Sequence, residues 1–269
     1  MLKNIRIKEA SVDRRNFIGI MGALGALPQV VSAQAGKGKA RCYALETWTL
    51  AGNQYTRLSE YLSKSYLPAL AKIHSRPALV LNDIAAPNPP QVAMLTSYQS
   101  VEEMWNVRGK IAGDKALEAA TDAWQAGSEK PFESFTTAHL EAEPFSPDPA
   151  PLNPQPATPR VFEMRVYHNN TARGQRGLEE RFAEAEVRIL TNCGATPVLF
   201  SSTVAGPDMP NVTWMMGFAD GAAREKFLAT FAADPDWAKL RAQSLERYGQ
   251  IPATRKIAVF QAASYSPIR

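Results

Sequence analysis

The stretch VFEMRVYHNN, residues 161–170, places Glu163, Arg165 and Tyr167 at alternate positions. Alternate side chains of an extended strand share a face, so a carboxylate, a guanidinium and a phenol stand in a row. Phe162, Met164 and Val166 fall on the other face and have the apolar character of a core-facing set. Two kinds of chemistry fit the polar row. In one, Arg165 orients an anionic or carbonyl substrate through its forked N–H donors while Tyr167 or Glu163 handles a proton. In the other, the charges close an ion-pair network, because a charge removed from water needs a partner. His168, next along the chain, is placed either to reach a pocket mouth or an iron, or to sit as a lone hydrogen-bonded residue at a strand end.

A counterpart strand, RCYALETWTL, lies at residues 41–50. An offset of 119 sets Tyr43 on Phe162, Leu45 on Met164, Glu46 on Arg165 and Trp48 on Tyr167. With the Tyr43/Phe162 face packed on helices, Glu46, Trp48, Glu163, Arg165 and Tyr167 would all point into the space between two sheets. Arg165 is then expected to be fully neutralised by Glu163 and Glu46. Tyr98 and Trp214, with Met94, Met215 and Met216 nearby, add an aromatic set suited to core packing or to an aromatic ligand pocket. Glu46, Trp48, Tyr98, Glu163, Arg165, Tyr167, His168 and Trp214 make up the candidate pocket. His74, His139 and His168 share no metal-like spacing with Cys, Asp or Glu, so no metal site is expected. Cys42 and Cys193 are too few for a disulfide framework and read as buried thiols. A nucleophile elbow, a phosphate loop and a dinucleotide fingerprint are absent, which removes the common hydrolase, kinase and dehydrogenase readings.

The elements that position these residues come in two similar sets. Residues 144–159, PFSPDPAPLNPQPATP, hold seven prolines and cannot form a helix or a central strand. They read as an extended linker between a first half, residues 40–143, and a second, residues 160–269. An offset of 120 pairs Glu60 with Glu180, Pro77 with Pro197, Leu79 with Leu199, Val92 with Val212, Tyr98 with Phe218 and Asp114 with Asp234, which indicates an internal duplication. Each half reads strand, amphipathic helix, strand, strand, helix, strand, the order of a ferredoxin-like unit. Asp220 and Gly194 stand where a helix should start and stop, and Asp234-Pro235 where one should break. Such a unit carries both helices on one sheet face and leaves the other bare. Two units in one chain can cover each other, giving an α+β fold of tandem βαββαβ repeats closed into an intramolecular barrel.

The first 35 residues form a separate unit. A basic opening is followed by Arg14-Arg15-Asn16-Phe17, then by the apolar run FIGIMGALGAL, too short to span a bilayer, and by Ala33-Gln34-Ala35. The segment resembles a twin-arginine export signal, with Arg14, Arg15 and Phe17 as its address, and implies a periplasmic or secreted bacterial protein. Removing it lowers the formal charge from +4 to +1. That balance argues against nucleic acid as a partner, and nothing after residue 35 reads as a membrane span.

The strand VFEMRVY, the stretch TWMMGFADGAAREKF and the run Phe231-Ala232-Ala233-Asp234-Pro235-Asp236-Trp237 resemble the NIPSNAP family, within the dimeric α+β barrel superfamily. The likeness covers the second half; in the first, Asp114-Lys115-Ala116-Leu117 replaces the Asp-Pro-Asp-Trp pattern. The resemblance implies the barrel fold and a role in binding a small apolar or aromatic ligand or a protein partner, with homo-oligomerisation open. The wider superfamily includes heme-degrading and cofactor-free monooxygenases, so a cofactor-light monooxygenase or heme-handling enzyme is the alternative. No cofactor is otherwise expected, and no motif here matches a catalytic residue of those enzymes.

Overall fold

The computed structural model describes residues 39–269 apart from residues 53 and 128. The segment with Arg14, Arg15 and Phe17 lies outside the described residues. The first repeat supplies β1 (Cys42–Leu50), β2 (Leu79–Ala85), β3 (Gln91–Tyr98) and β4 (Phe132–Ala142); the second supplies β5 (Val161–His168), β6 (Thr196–Ala205), β7 (Asn211–Phe218) and β8 (Thr254–Ala262). These strands close into a barrel in the order β1-β3-β2-β8-β5-β7-β6-β4. Every pairing is antiparallel. Glu46 lies opposite Met94 and Arg165 opposite Trp214, so the first strands are related by 119 and the third strands by 120.

The helices lie outside the barrel and repeat the same pattern. The first helix of each half starts before its apolar period begins. It runs as α1 (Tyr55–Tyr61), a π-helical segment Leu62–Tyr66 and α2 (Leu67–Ile73), matched by α5 (Ala172–Arg181), a π-helical segment Phe182–Glu186 and α6 (Val187–Asn192). Thr171 sets the early start of α5 by accepting from the Gly174 amide at 3.0 Å. The second helix of each half is two helices, α3 (Val101–Ala112) with α4 (Lys115–Gln125), and α7 (Gly221–Ala233) with α8 (Pro235–Tyr248). The breaks fall at Asp114 and Asp234, whose carboxylates accept amide hydrogen bonds from Leu117 (3.1 Å) and Trp237 (2.8 Å). Among the described residues no helix is long and apolar enough to cross a membrane.

The faces of the first strands are reversed from the sequence expectation. Tyr43, Leu45, Phe162 and Met164 point into the barrel and pack with Leu79, Leu81, Leu95, Met215 and Phe260. Glu46, Trp48, Glu163, Arg165 and Tyr167 point outward beneath the helices. The physical reason is the size of the space: an eight-stranded barrel interior is just wide enough for side chains to fill, and apolar groups fill it without stripping water from charges. Tyr43, Phe162, Leu79, Leu81 and Phe260 are all 0% exposed, which leaves no water-sized void beside them. The interior beside these residues is thus filled by the protein's own apolar side chains.

The proline-rich segment after β4 contains no helix or strand, yet its start is docked. Ser146, 1% exposed, accepts from the Phe200 amide in β6 at 2.9 Å. Ser266, 3% exposed, accepts from the Val80 amide in β2 at 2.9 Å. Each serine follows the last strand of its own repeat and ties it to the second strand of the other, at the seams where β4 meets β6 and β8 meets β2. Removing either hydroxyl strands a buried amide, which costs about 1–3 kcal/mol. Ser146→Ala and Ser266→Ala are each expected to lower stability by about that amount in urea denaturation, and by equal amounts if the two seams share the load; a loss under 0.5 kcal/mol in both would refute the role.

Candidate functional site

The outward polar row of β5 floors a cavity of about 310 Å³ beneath α7 and α8. Arg165 and Tyr167 rise from the strand, Arg181 and Glu186 come from the π-helical segment and its edge, and Phe231 and Trp237 flank the break at Asp234. Phe231 and Trp237 stack with ring centres 4.6 Å apart, forming an aromatic wall. The Asp234-Pro235-Asp236-Trp237 run thus shapes the wall by ending one helix and starting the next.

Glu163 lies behind the floor, 0% exposed. Its Oε1 accepts from Arg165 Nε at 2.5 Å, and its Oε2 accepts from Arg224 Nε on α7 at 2.6 Å. One carboxylate therefore serves two guanidiniums, and Arg224 also donates from Nη1 to Glu225 Oε1 at 2.7 Å. Glu46 takes no part: its Oε1 accepts from Arg108 Nη1 on α3 at 3.2 Å. The expectation that Glu163 and Glu46 together neutralise Arg165 fails because outward-facing residues of the two repeats lie on different sides of a closed barrel, each under its own helices. Arg165 also donates from Nη1 to the Tyr167 hydroxyl at 2.8 Å, and its guanidinium lies 5.1 Å from the centre of the buried Trp214 ring. Of its five N–H groups two have no acceptor among the described residues. Burial opposes the Arg165 charge, but Tyr167 and Glu163 outweigh it and hold the pKa above its ordinary value. Burial raises the Tyr167 pKa despite the adjacent guanidinium.

Arg181 Nε donates to Glu186 Oε2 at 2.7 Å. Residues five apart diverge on an α-helix, whereas a π-helical turn returns them to one side, and the Phe182–Glu186 segment makes this buried pair possible. Burial pushes the Glu186 carboxyl above its usual range even with Arg181 beside it. The lining holds four arginines, Arg165, Arg181, Arg241 and Arg255, and a single carboxylate, Glu186. Neither Arg241 nor Arg255 has an ion-pair partner among the described residues.

A second cavity, about 480 Å³, occupies the corresponding place in the first repeat, with Glu46, Tyr66, Tyr98, Trp105 and Arg108 among its lining. The candidate residues are thus divided. Arg165 and Tyr167 line one pocket, Glu46 and Tyr98 the other, and Glu163 and Trp214 support the floor. Trp48 instead packs on Phe135, ring centres 5.0 Å apart. His168 is held at the strand end, its Nδ1 2.8 Å from the Asp208 carbonyl oxygen. Cys42 and Cys193 are free thiols. Sequence reasoning missed Arg181, Glu186, Arg241 and Arg108, which lie on helices read only for their apolar periods, and Arg255, which lies on β8 opposite Tyr167. Among the described residues no histidine lines either pocket, so these linings offer heme no imidazole ligand.

Comparison with known proteins shows the same architecture. A provisionally assigned monooxygenase of Lactobacillus acidophilus is similar over 83% of this chain and 94% of its own, at 10% identity and a TM-score of 0.54. Another from Fusobacterium nucleatum is similar over 84% and 93%, at 9% identity and a TM-score of 0.55. The fold is a dimeric α+β barrel formed within one chain by tandem ferredoxin-like repeats. Residues 162–267, within the second repeat, match the NIPSNAP family model. A NIPSNAP-like domain protein of Burkholderia xenovorans is similar over 40% of this chain and 89% of its own, at 18% identity and a TM-score of 0.36. No curated protein matches the chain.

Glu163→Gln would leave two largely buried guanidiniums facing a neutral amide. The variant is expected to lose about 3–5 kcal/mol in urea denaturation, more than Glu46→Gln, whose single partner reaches solvent; equal losses would show that the shared carboxylate carries no special weight.

Proposed function

We propose that this is an exported NIPSNAP-domain protein that binds a small amphipathic anion, an apolar or aromatic body bearing a carboxylate, in the outer pocket of its second repeat. The observation that carries this reading is the charge balance: four arginines against one carboxylate around an aromatic wall. The two N–H groups of Arg165 without an acceptor among the described residues suit a carboxylate oxygen, and hydrogen bonds to charged groups contribute about 1.5–3 kcal/mol each. Phe231 and Trp237 offer the ligand's ring an apolar wall beside Arg181, whose guanidinium lies 5.3 Å from the centre of the Trp237 ring. The monooxygenases of similar fold share 9–10% of its residues, which supports a common fold and adds no reaction to this reading.

Calorimetric titration with 2-naphthoate tests it. Saturable binding that weakens with added salt is expected, and Arg165→Leu should reduce the affinity about tenfold or more. That variant leaves Glu163 and Arg224 as a balanced pair, so the fold is expected to survive. Absence of saturable binding in the wild type, or indifference to Arg165→Leu, would sink the proposal.

Export is the second part of the proposal, supported by Arg14, Arg15, Phe17 and the short apolar run after them. Fractionation of a bacterial host should place the wild-type protein in the periplasm and the Arg14→Lys/Arg15→Lys variant in the cytoplasm. Equal export of both would remove the twin-arginine route.

A further inference from the structure

Anion binding leaves the first repeat's pocket unexplained. Glu46 floors it at 9% exposure, and although its Oε1 accepts from Arg108, its Oε2 has no donor among the described residues. The Tyr66 hydroxyl, lining the same pocket, is likewise without a hydrogen-bond partner among them. Oε2 keeps contact with the solvent in the pocket, where a ligand donor can take the place of water on a charged acceptor. Burial also pushes the Glu46 carboxyl above its usual range, against the pull of Arg108.

The charge balance differs from that of the second repeat. Glu46 and Arg108 cancel, and the rest of the lining is aromatic or aliphatic. A ligand carboxylate would meet Glu46, and a ligand ammonium would meet Arg108. A neutral ring with one O–H or N–H satisfies both: its donor reaches Glu46 Oε2 while the ring lies against Tyr98 and Tyr66. We infer that this pocket is a second, independent binding site, for a neutral aromatic molecule carrying a hydrogen-bond donor. The volume of about 480 Å³ admits a two-ring compound.

Titration of the full chain with 2-naphthol, uncharged near neutral pH, tests the inference. Saturable one-to-one binding is expected, weakened about tenfold or more by Glu46→Leu and unchanged by Arg165→Leu. Gly109 lines the pocket on α3, and a Cβ there meets no atom within 4 Å, so Gly109→Leu should block the site without displacing protein groups. This variant keeps the test decisive should Glu46→Leu fold poorly. No saturable binding, or binding that survives Gly109→Leu, would overturn the inference, and so would tighter binding of 2-naphthylmethylammonium than of 2-naphthol. The 2-naphthoate titration reads the other pocket, so each assignment can fail alone.

Discussion

A four-stranded sheet with helices on one face leaves an apolar face bare, and here the bare face of each repeat is covered only by the other repeat. Barrel closure is the constraint on which the remaining features depend. It assigns Tyr43, Leu45, Phe162 and Phe260 to a filled interior. It also sends the charged residues of β1 and β5 outward, where α3 and α7 supply Arg108 and Arg224 as partners. The pockets follow as gaps between a charged strand face and helices held off it by long side chains.

Electrostatics then separates two cavities of common origin. In the second repeat Glu163 is divided between two guanidiniums, and the pocket lining adds Arg241 and Arg255, which have no ion-pair partner among the described residues. The π-helical segment Phe182–Glu186 adds a buried pair without adding net charge. In the first repeat the equivalent segment presents Tyr66 where the second presents Glu186, and the local charges cancel. The same backbone thereby offers two solvents: one cationic and aromatic, one neutral and aromatic.

Much of the fold was legible in the sequence because duplication doubles every signal. The alternation in VFEMRVY, the offset of 120, Asp220 and Asp234 identified strands, repeats, a helix start and a helix break, whereas the break at Asp114, which has no proline after it, was not legible. Which strand face turns inward was not legible. Both faces of β1 and β5 hold bulky groups, and the deciding factor, the narrow bore of the closed barrel, is a property of all eight strands together. Arg181 and Glu186 escaped notice because a spacing of five has no meaning on a regular α-helix. The tripeptides Phe145-Ser146-Pro147 and Tyr265-Ser266-Pro267 obey the offset of 120 and were a readable sign of the seams, obscured in the first repeat by the prolines that follow.

The pairing of Glu46 with Arg165 at equivalent places has a consequence for how such a molecule can vary. In a barrel assembled from two identical subunits, any substitution appears in both copies, and a carboxylate at one floor obliges a carboxylate at the other. Joining the subunits into one chain lifts that obligation. Each floor can change its sign while the opposite one holds its own, and the seams that maintain the barrel are untouched by either choice.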